Sequence, residues 1–386
     1  MNRERRDLIA DVAIASLLAV MLGLAWSIGD WSALSALRLP DTDDVMRLQQ
    51  VRDWLGGQSW DDLTQYRLGA GLPMHWSRLA DLGPALLLFA ATPLAGGHGA
   101  EVLAVIAWPI LVFAGALLLV GRIARRLDPD ATHTAMTVAA IAYPATTIFV
   151  PGRIDHHGLQ LVLLLGATLA AMGKPTLSSG AITGALAATS LVVGMETMPF
   201  FAVLGTAALL GWVFADGEGD ARIVGLGAGT LIGLGIGIMG FASRQWRYPA
   251  CDGFTMQAAT GLAIMAVVPL AAAVLGRHVP SARIRLAIVA ALSLAAFAIA
   301  RSLSPACESP YGGVPVVLQQ LWLDQVGEAQ SIVAASFGVA FGYCGVMLAG
   351  VVASAWLLRH RPRRNLVLLL ALQCTAVAIA AGLRRS

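Results

Sequence analysis

The sequence predicts an all-α polytopic membrane protein with about eleven transmembrane helices, and three observations predict it. Of the 386 residues, 57% are hydrophobic and only 13% are charged, whereas soluble domains carry about 25% charged residues. The mean hydropathy is +0.72. The apolar residues form blocks of about 17–24 residues, which are long enough to cross a hydrocarbon core of about 30 Å as helices.

The apolar blocks define the expected spans in chain order. They cover about 8–28, 101–121, 131–150, 159–173, 179–195, 198–214, 222–241, 258–275, 284–302, 335–358 and 365–382. Residues 1–6 are basic and lead into the first block without an Ala-x-Ala-like cleavage site. That pattern favours a retained first helix over a cleaved signal peptide.

The charges between the blocks fix the orientation. Alternation from a cytoplasmic N-terminus places four basic groups on the inside, namely Arg122/Arg125/Arg126, Lys174, 277–285 and 359–364, and one acidic stretch, 216–220. This is the bias of the positive-inside rule. The formal charge of +3 therefore reflects topology, and we expect no nucleic-acid partner.

The apolar stretch 82–94 is not counted as a span. It contains Pro84 and Pro93 and covers only about 13 residues, which is too short to cross a bilayer. Counting it would also move every later basic loop to the outside. We expect an interfacial or re-entrant helix within a long first outer loop, about 29–100. The chain is then one transmembrane domain, 1–386, whose other unusual outer segments are 151–158 and 303–334.

A polar string at 151–158, Pro-Gly-Arg-Ile-Asp-His-His-Gly, interrupts two apolar blocks. Ionisable groups at the edge of a membrane are costly unless they have partners. Asp155 and His157 together offer oxygen and nitrogen ligands, a mixture that suits a divalent metal, and Mn²⁺ tolerates imidazole better than Mg²⁺ does. The alternative is that Asp155 only caps the following helix while the histidines lie in the interface.

The first outer loop carries a cluster of acids that includes Asp43 and Asp44, just before a helix-like run. These carboxylates could supply a metal ligand or a general base. The alternative is a solvated capping cluster in which Asp43 or Asp44 opens an amphipathic helix. In the late outer segment, Glu328 precedes a new apolar block and is either functional or an ordinary helix-start acid.

The order and spacing of these segments resemble the membrane domain of oligosaccharyltransferase catalytic subunits, within the GT-C class of polyprenyl-linked-sugar transferases. That family carries an essential first-loop acid followed about nine residues later by Arg-Asp, as Asp43 is by Arg52-Asp53. Its second outer loop carries Asp-x-Glu, or Asp-His-His in archaeal members, as at 155–157 here. Its late Ser/Thr-x-x-Glu motif is similar to 325–328, with Gln325 at the first position.

The resemblance covers roughly residues 8–358 and implies roles for individual residues. It implies that Asp43, Asp155 and His157 bind a divalent metal, Mn²⁺ or Mg²⁺, and that Glu328 links the acceptor to the site. Either Asp43 or Asp44 would accept the acceptor's proton. The family's Trp-Trp-Asp motif and the soluble C-terminal domain that carries it are absent from this sequence. The acceptor is therefore left open between a glycan, a lipid and a protein.

Basic residues expected on the outer face are candidates for holding the donor phosphate. They are Arg153, Arg244, Arg247 and Arg301. One guanidinium group can bind two phosphate oxygens at once. Such arginines are explained equally well if they only extend their charged ends to the membrane interface. Cys251 and Cys307 also fall in outer segments, where an oxidising periplasm would allow a disulfide between them.

The sequence thus predicts a metal-dependent glycosyltransferase. It would move a sugar or glycan from a polyprenyl phosphate or diphosphate donor to an acceptor at the periplasmic face of a bacterial inner membrane. A transporter or lipid-linked-sugar flippase is the alternative, and it would place ionisable residues within the spans. Glu196, near the outer end of a block, is the only candidate of that kind seen in the sequence.

Overall fold

The structure is a computed structural model in which residues 3–67, 69–214, 219–248, 250–303, 314–321, 323, 326 and 331–382 are described. Among these residues the secondary structure is helical apart from one two-stranded hairpin. The helices are α1 (Arg3–Gly29), α2 (Trp31–Leu34), α3 (Thr42–Leu55), α4 (Leu82–Leu127), α5 (Thr132–Ala140), α6 (His157–Ala171), α7 (Leu177–Val193), α8 (Met198–Phe214), α9 (Asp220–Phe241), α10 (Met256–Gly276), α11 (Ala282–Leu303), α12 (Val316–Leu321), α13 (Phe337–His360) and α14 (Arg364–Gly382). The strands β1 (Thr64–Gln65) and β2 (Leu72–Pro73) pair antiparallel, with Thr64 opposite Pro73.

The all-α prediction is confirmed. Within the described part of the chain, seven helices are long and apolar enough to cross a membrane. They are α1, α4, α9, α10, α11, α13 and α14. The apolar helices α6, α7 and α8 are shorter, at 15, 17 and 17 residues.

The continuous helix expected over 131–150 is wrong. Helix α5 ends at Ala140, and a 3₁₀ turn follows over Ala145–Phe149. Pro144 explains the break, because proline has no N–H for the helix ladder and disfavours helical backbone at the residue before it. The segment that leads to the 151–158 string is therefore irregular backbone.

Helix α4 is kinked where the first outer loop was expected to end. Gly96 has φ 70° and ψ 171°, which no α-helical residue adopts. The stretch from Leu82 to the kink is therefore separate in direction from the residues that follow. This agrees with leaving 82–94 out of the spans, while its interfacial position stays a prediction.

The helices divide into two compact units. The first unit holds the described residues of 1–169, 186–194 and 235–248, and the second holds those of 170–185, 195–234 and 249–386. In the first unit, α1, α4 and α5 pack around a core that includes Ala19, Phe113 and Met136. In the second, α8 to α11 pack around Trp212, Ile223 and Ala272.

One buried acid in the first unit lies inside an expected span. Asp11 of α1 is fully buried. Its carboxylate pairs with Arg125 Nη2 at 2.7 Å, Arg122 Nη1 at 3.2 Å and His133 Nε2 at 3.2 Å. Glu196 is therefore not the only ionisable residue of the spans. The partners of Asp11 belong to the basic end of α4 and to α5, so its charge ties three helices together.

In the second unit, α7 and α9 cross at close range through glycine. Gly180 and Gly184 of α7 lie four residues apart, as do Gly225 and Gly229 of α9. A Cβ at Gly180 would clash with the carbonyl oxygen of Arg222, and a Cβ at Gly229 would clash with that of Ala181. This is the small-xxx-small packing of membrane helices, in which the two backbones touch.

We expect Gly229→Ala to destabilise the protein. The new methyl group would force the helices apart, and overpacking of this kind costs about 1–3 kcal/mol. The matched control is Gly235→Ala on the same helix, where a Cβ would meet nothing within 4 Å. Thermal unfolding in detergent should give a lower midpoint for Gly229→Ala only. Equal midpoints for the two variants would contradict the close crossing.

Candidate active site

Three acids gather at the start of α3. Asp41 has extended backbone and its carboxylate accepts the N–H of Asp43 at 3.3 Å, so Asp41 is the N-cap. Asp43 and Asp44 occupy the first turn, where the helix dipole favours negative charge. The helix is therefore capped by Asp41, and not by Asp43 or Asp44 as the capping alternative had it. Asp43 and Asp44 remain available for other contacts.

The loop before α6 lies against α3 and α4. Gly152 has φ 95° and donates its N–H to the carbonyl of Val105 at 2.8 Å. A Cβ at this glycine would lie 2.8 Å from Cδ of Pro40, so a side chain is excluded by both conformation and space. Ile154 is fully buried against Leu48 and Val105. These contacts fix the backbone just before Asp155.

Asp44 joins the two segments. Its Oδ1 accepts the backbone N–H of Ile154 at 2.8 Å and that of Asp155 at 3.0 Å. Its side chain is fully buried, and its Oδ2 lies 3.6 Å from Arg153 Nη1. Burial, together with the negative charge of Asp155, raises the pKa of this carboxyl to about 7. The position of Asp44 is that of an anchor for the Asp155 loop.

Asp155 both caps a helix and faces His157. Its Oδ1 accepts the N–H of His157 at 2.8 Å, so the capping alternative is correct for one oxygen. Its Oδ2 lies 3.9 Å from His157 Nε2, a separation that two atoms each about 2.1 Å from one ion can span. Burial opposes ionisation of Asp155, but His157 and Arg153 outweigh it and hold the pKa below its usual value.

Asp43 lies in the electrostatic field of the same group. Its side chain is partly buried, and burial together with the charges of Asp41 and Asp155 raises its pKa. The nearby His157 acts in the opposite direction. Asp43 therefore lies within electrostatic range of Asp155 and His157, whose own side-chain atoms are 3.9 Å apart.

Arg153 supplies the positive charge of the cluster. Its guanidinium lies 3.0 Å from Asp41, 3.6 Å from Asp44 and 3.5 Å from Asp155. One arginine thus contacts three carboxylates, so the acids of the cluster outnumber it. Ligand atoms of Asp155, His156 and His157 also lie within 4.8 Å of one another. The donor set and its charge fit a divalent cation.

The other predicted residues lie elsewhere or outside the described residues. Arg244 pairs with Asp61 at 3.1 Å and with Asp62 at 3.6 Å, which ties the first outer loop to the turn after α9. Arg247 is exposed in the same turn. Arg301, in the last turn of α11, belongs to the second unit.

Two further predictions concern the late outer segment. Glu328 lies outside the described residues. Cys251 is disulfide-bonded, and Cys344 and Cys374 are free. Cys307, the partner predicted for Cys251, is also outside the described residues.

Sequence reasoning missed a buried layer beneath the site. Asp81 is fully buried and accepts hydrogen bonds from Arg47 at 2.9 Å, Gln50 at 2.8 Å and Arg78 at 3.3 Å. Arg47 also contacts His156. The signal for this layer was the run of polar and aromatic residues at 75–78, between an apolar methionine and the 82–94 stretch.

The Arg-Asp pair of α3 has structural partners. Arg52 makes two hydrogen bonds to Glu101 of α4, at 2.6 Å and 2.7 Å. Asp53 accepts from Gln49 at 2.6 Å and lies 3.6 Å from Arg67. Both residues therefore hold α3 in place.

Comparisons with known proteins found matches among solved structures. No protein-family model and no curated protein matches the chain. The archaeal oligosaccharyltransferase AglB from Archaeoglobus fulgidus, in complex with an inhibitory peptide and a dolichol-phosphate, matches with a TM-score of 0.60 and 13% identity, over 99% of this chain and 50% of that one.

Two more structures of the Archaeoglobus fulgidus oligosaccharyltransferase match. The apo form has a TM-score of 0.60 and 14% identity, over 97% of this chain and 49% of that one. The complex with Zn and sulfate has a TM-score of 0.54 and 15% identity, over 97% and 46%. The chain therefore spans about half the length of these proteins. At this identity the comparison shows the fold, and the oligosaccharyltransferase-like fold predicted from the sequence is confirmed.

We expect Asp44→Asn to remove a pH dependence of stability. The pKa of Asp44 is about 7 against an ordinary 3.8. Folding therefore takes up a proton between these values, and stability falls as the pH rises through this window. Asparagine keeps the acceptor oxygen and does not titrate. With a chelator present, the thermal midpoint of the unsubstituted protein should fall between about pH 4 and about pH 7 relative to that of the variant.

The control for this measurement is Asp130→Asn, because Asp130 is exposed in the turn before α5. Its midpoint should follow the unsubstituted protein at every pH. Parallel curves for Asp44→Asn and the unsubstituted protein would show that Asp44 does not carry this cost.

Proposed function

We propose that the chain is a metal-dependent glycosyltransferase of the GT-C kind. It moves a sugar or glycan from a polyprenyl phosphate or diphosphate donor to an acceptor at the periplasmic face of a bacterial inner membrane. The observation that carries the proposal is the placement of Asp155 and His157 with their ligand atoms 3.9 Å apart, within electrostatic range of Asp43, on an oligosaccharyltransferase-like fold. The resemblance in the sequence had assigned these three residues to the metal.

The proposed ligands of the metal are Asp43, Asp155 and His157, with Mn²⁺ or Mg²⁺ as the ion. A bound divalent ion would neutralise negative charge that develops on the leaving phosphate. Carboxylates outnumber Arg153 in this cluster, and a bound cation would compensate their negative charge. The same excess of carboxylates makes the unloaded cluster a poor place for a phosphate by itself.

The reaction is a displacement at the anomeric carbon. The bond from that carbon to the phosphate oxygen breaks, and the phosphate leaves with the electron pair. A new bond forms to the acceptor's oxygen or nitrogen, whose proton passes to a carboxylate. A single displacement of this kind inverts the anomeric centre.

Asp43 is the carboxylate best placed to take the proton. Its pKa is raised, which improves a carboxylate as a base, and one of its two oxygens can ligate while the other accepts. Asp44 is fully buried and already accepts two backbone N–H groups, so we assign it the anchoring of the Asp155 loop. Glu328 keeps the role that the resemblance implies, as the contact to the acceptor.

The ligands of the matching Archaeoglobus fulgidus structure indicate the first donor and acceptor to test. The Archaeoglobus fulgidus enzyme was solved with a dolichol-phosphate and an inhibitory peptide. A polyprenyl-linked sugar and a peptide are therefore the first pair to try, followed by lipid and glycan acceptors. Among the arginines considered for the phosphate we retain Arg153, which lies 3.0 Å from Asp41 and 3.5 Å from Asp155.

We expect purified protein with Mn²⁺ to transfer sugar from a member of a panel of polyprenyl-linked donors. Asp155→Asn should lower the rate by on the order of 100-fold or more, because a weakened metal site stabilises the developing phosphate charge less, and the loss of one such electrostatic contribution has that effect. Asp43→Ala should do the same, and a chelator should abolish transfer. The readout is labelled product separated from the lipid-linked donor.

The matched control is Asp30→Asn, which changes an exposed acid of the first outer loop that makes no side-chain capping hydrogen bond. It should leave the rate unchanged. Equal product from the unsubstituted protein, Asp43→Ala and Asp155→Asn would refute the metal site.

A further inference from the structure

Two adjacent histidines stand at the proposed metal site, and the structure distinguishes them. His156 is buried with 5% of its surface exposed, while the side chain of His157 is 32% exposed. Their ring centroids are 4.5 Å apart. By position alone either imidazole, or both, could join Asp155 in binding an ion.

Arg47 contacts one ring nitrogen of His156. Its Nη2 lies 3.2 Å from Nδ1 of His156, and both side chains are buried. A guanidinium has only donors and does not lose its proton in proteins. The Nδ1 atom must therefore present its lone pair to Arg47, which leaves the ring proton on Nε2.

The guanidinium of Arg47 is fixed in this orientation. Its Nη1 donates to Asp81 at 2.9 Å and to the carbonyl of Ser77 at 3.4 Å. Its plane lies over the ring of Trp76, 4.8 Å from the centroid, a cation–π contact. Asp81 is held in turn by Gln50 and Arg78. Arg47 cannot turn away from His156 without breaking a buried ion pair, which is strongly unfavourable.

A neutral imidazole binds a metal through the nitrogen that carries no proton. In His156 that nitrogen is Nδ1, and Arg47 occupies it. We propose that Arg47 is a positioning residue that holds the proton of His156 on Nε2 and so excludes His156 from the metal's ligands. His157 is then the single imidazole ligand of the Asp155-His156-His157 cluster. The assignment of His157 rests on the metal site of the proposed function, whereas the position of the proton on His156 does not.

The assignment of the proton can be tested without metal. In protein labelled with ¹⁵N-histidine and kept in chelator, solid-state NMR should show His156 with a protonated Nε2 and a hydrogen-bonded, unprotonated Nδ1. His156→Gln identifies the resonances by their loss. Arg47→Met should move the Nδ1 resonance, and Arg47→Lys, which again offers only donors, should return it toward its original position. A protonated Nδ1 in the unsubstituted protein would overturn the proposal.

The ligand assignment is tested separately with Mn²⁺. Pulsed electron paramagnetic resonance detects the ¹⁴N of an imidazole bound to the ion. The unsubstituted protein and His156→Gln should both show one coordinated imidazole, and His157→Gln should lose it. Loss of the signal in His156→Gln with retention in His157→Gln would overturn the assignment, as would two coordinated imidazoles in the unsubstituted protein.

The two measurements separate this inference from the proposed function. Failure of the unsubstituted protein to bind Mn²⁺ would remove the metal site and the His157 assignment with it. The NMR result would still decide whether Arg47 holds the proton of His156 on Nε2.

Discussion

The hydrogen bonds from the backbone of Ile154 and Asp155 to the carboxylate of Asp44 hold the candidate site together. They join two segments that are 110 residues apart in the chain. Asp43, its neighbour in the first turn of α3, lies within electrostatic range of Asp155 and His157. The glycine at 152 and the buried side chain of Ile154 fix the other segment. One buried acid therefore sets the position of the three residues that we assign to the metal.

Charge explains why such a site needs both an arginine and a cation. Three carboxylates lie near Arg153, and burial makes ionisation in this cluster costly, as the raised pKa of Asp43 and Asp44 reflects. In a second layer, Asp81 lies between Arg47 and Arg78 and pairs with both. The acid of that layer is therefore compensated by arginines, whereas the acids around Arg153 outnumber their arginine. That difference marks the cluster around Arg153 as the place for a divalent ion.

Much of the fold could be predicted from the sequence, because the apolar blocks and the charges of the loops between them can be read directly along the chain. Most expected spans match helices within a few residues. The break after Ala140 was missed, although Pro144 was its visible cause. In the site, the pairing of the 41–44 acids with the 155–157 string was predicted. The sequence could not predict which of Asp43 and Asp44 faces the site. That depends on how α3 is rotated about its axis when Leu48 packs against Val105 and Ile154. The buried partners Arg47 and Asp81 were missed because their pairing depends on tertiary contacts.

The most direct measurement is the position of a bound ion, from anomalous scattering or cryo-electron microscopy of the protein with Mn²⁺. We predict one ion within coordination distance of Asp43, Asp155 and His157, with Asp44 still bonded to the backbone of Ile154 and Asp155. An ion bound elsewhere, or no ion at a saturating Mn²⁺ concentration, would contradict the account.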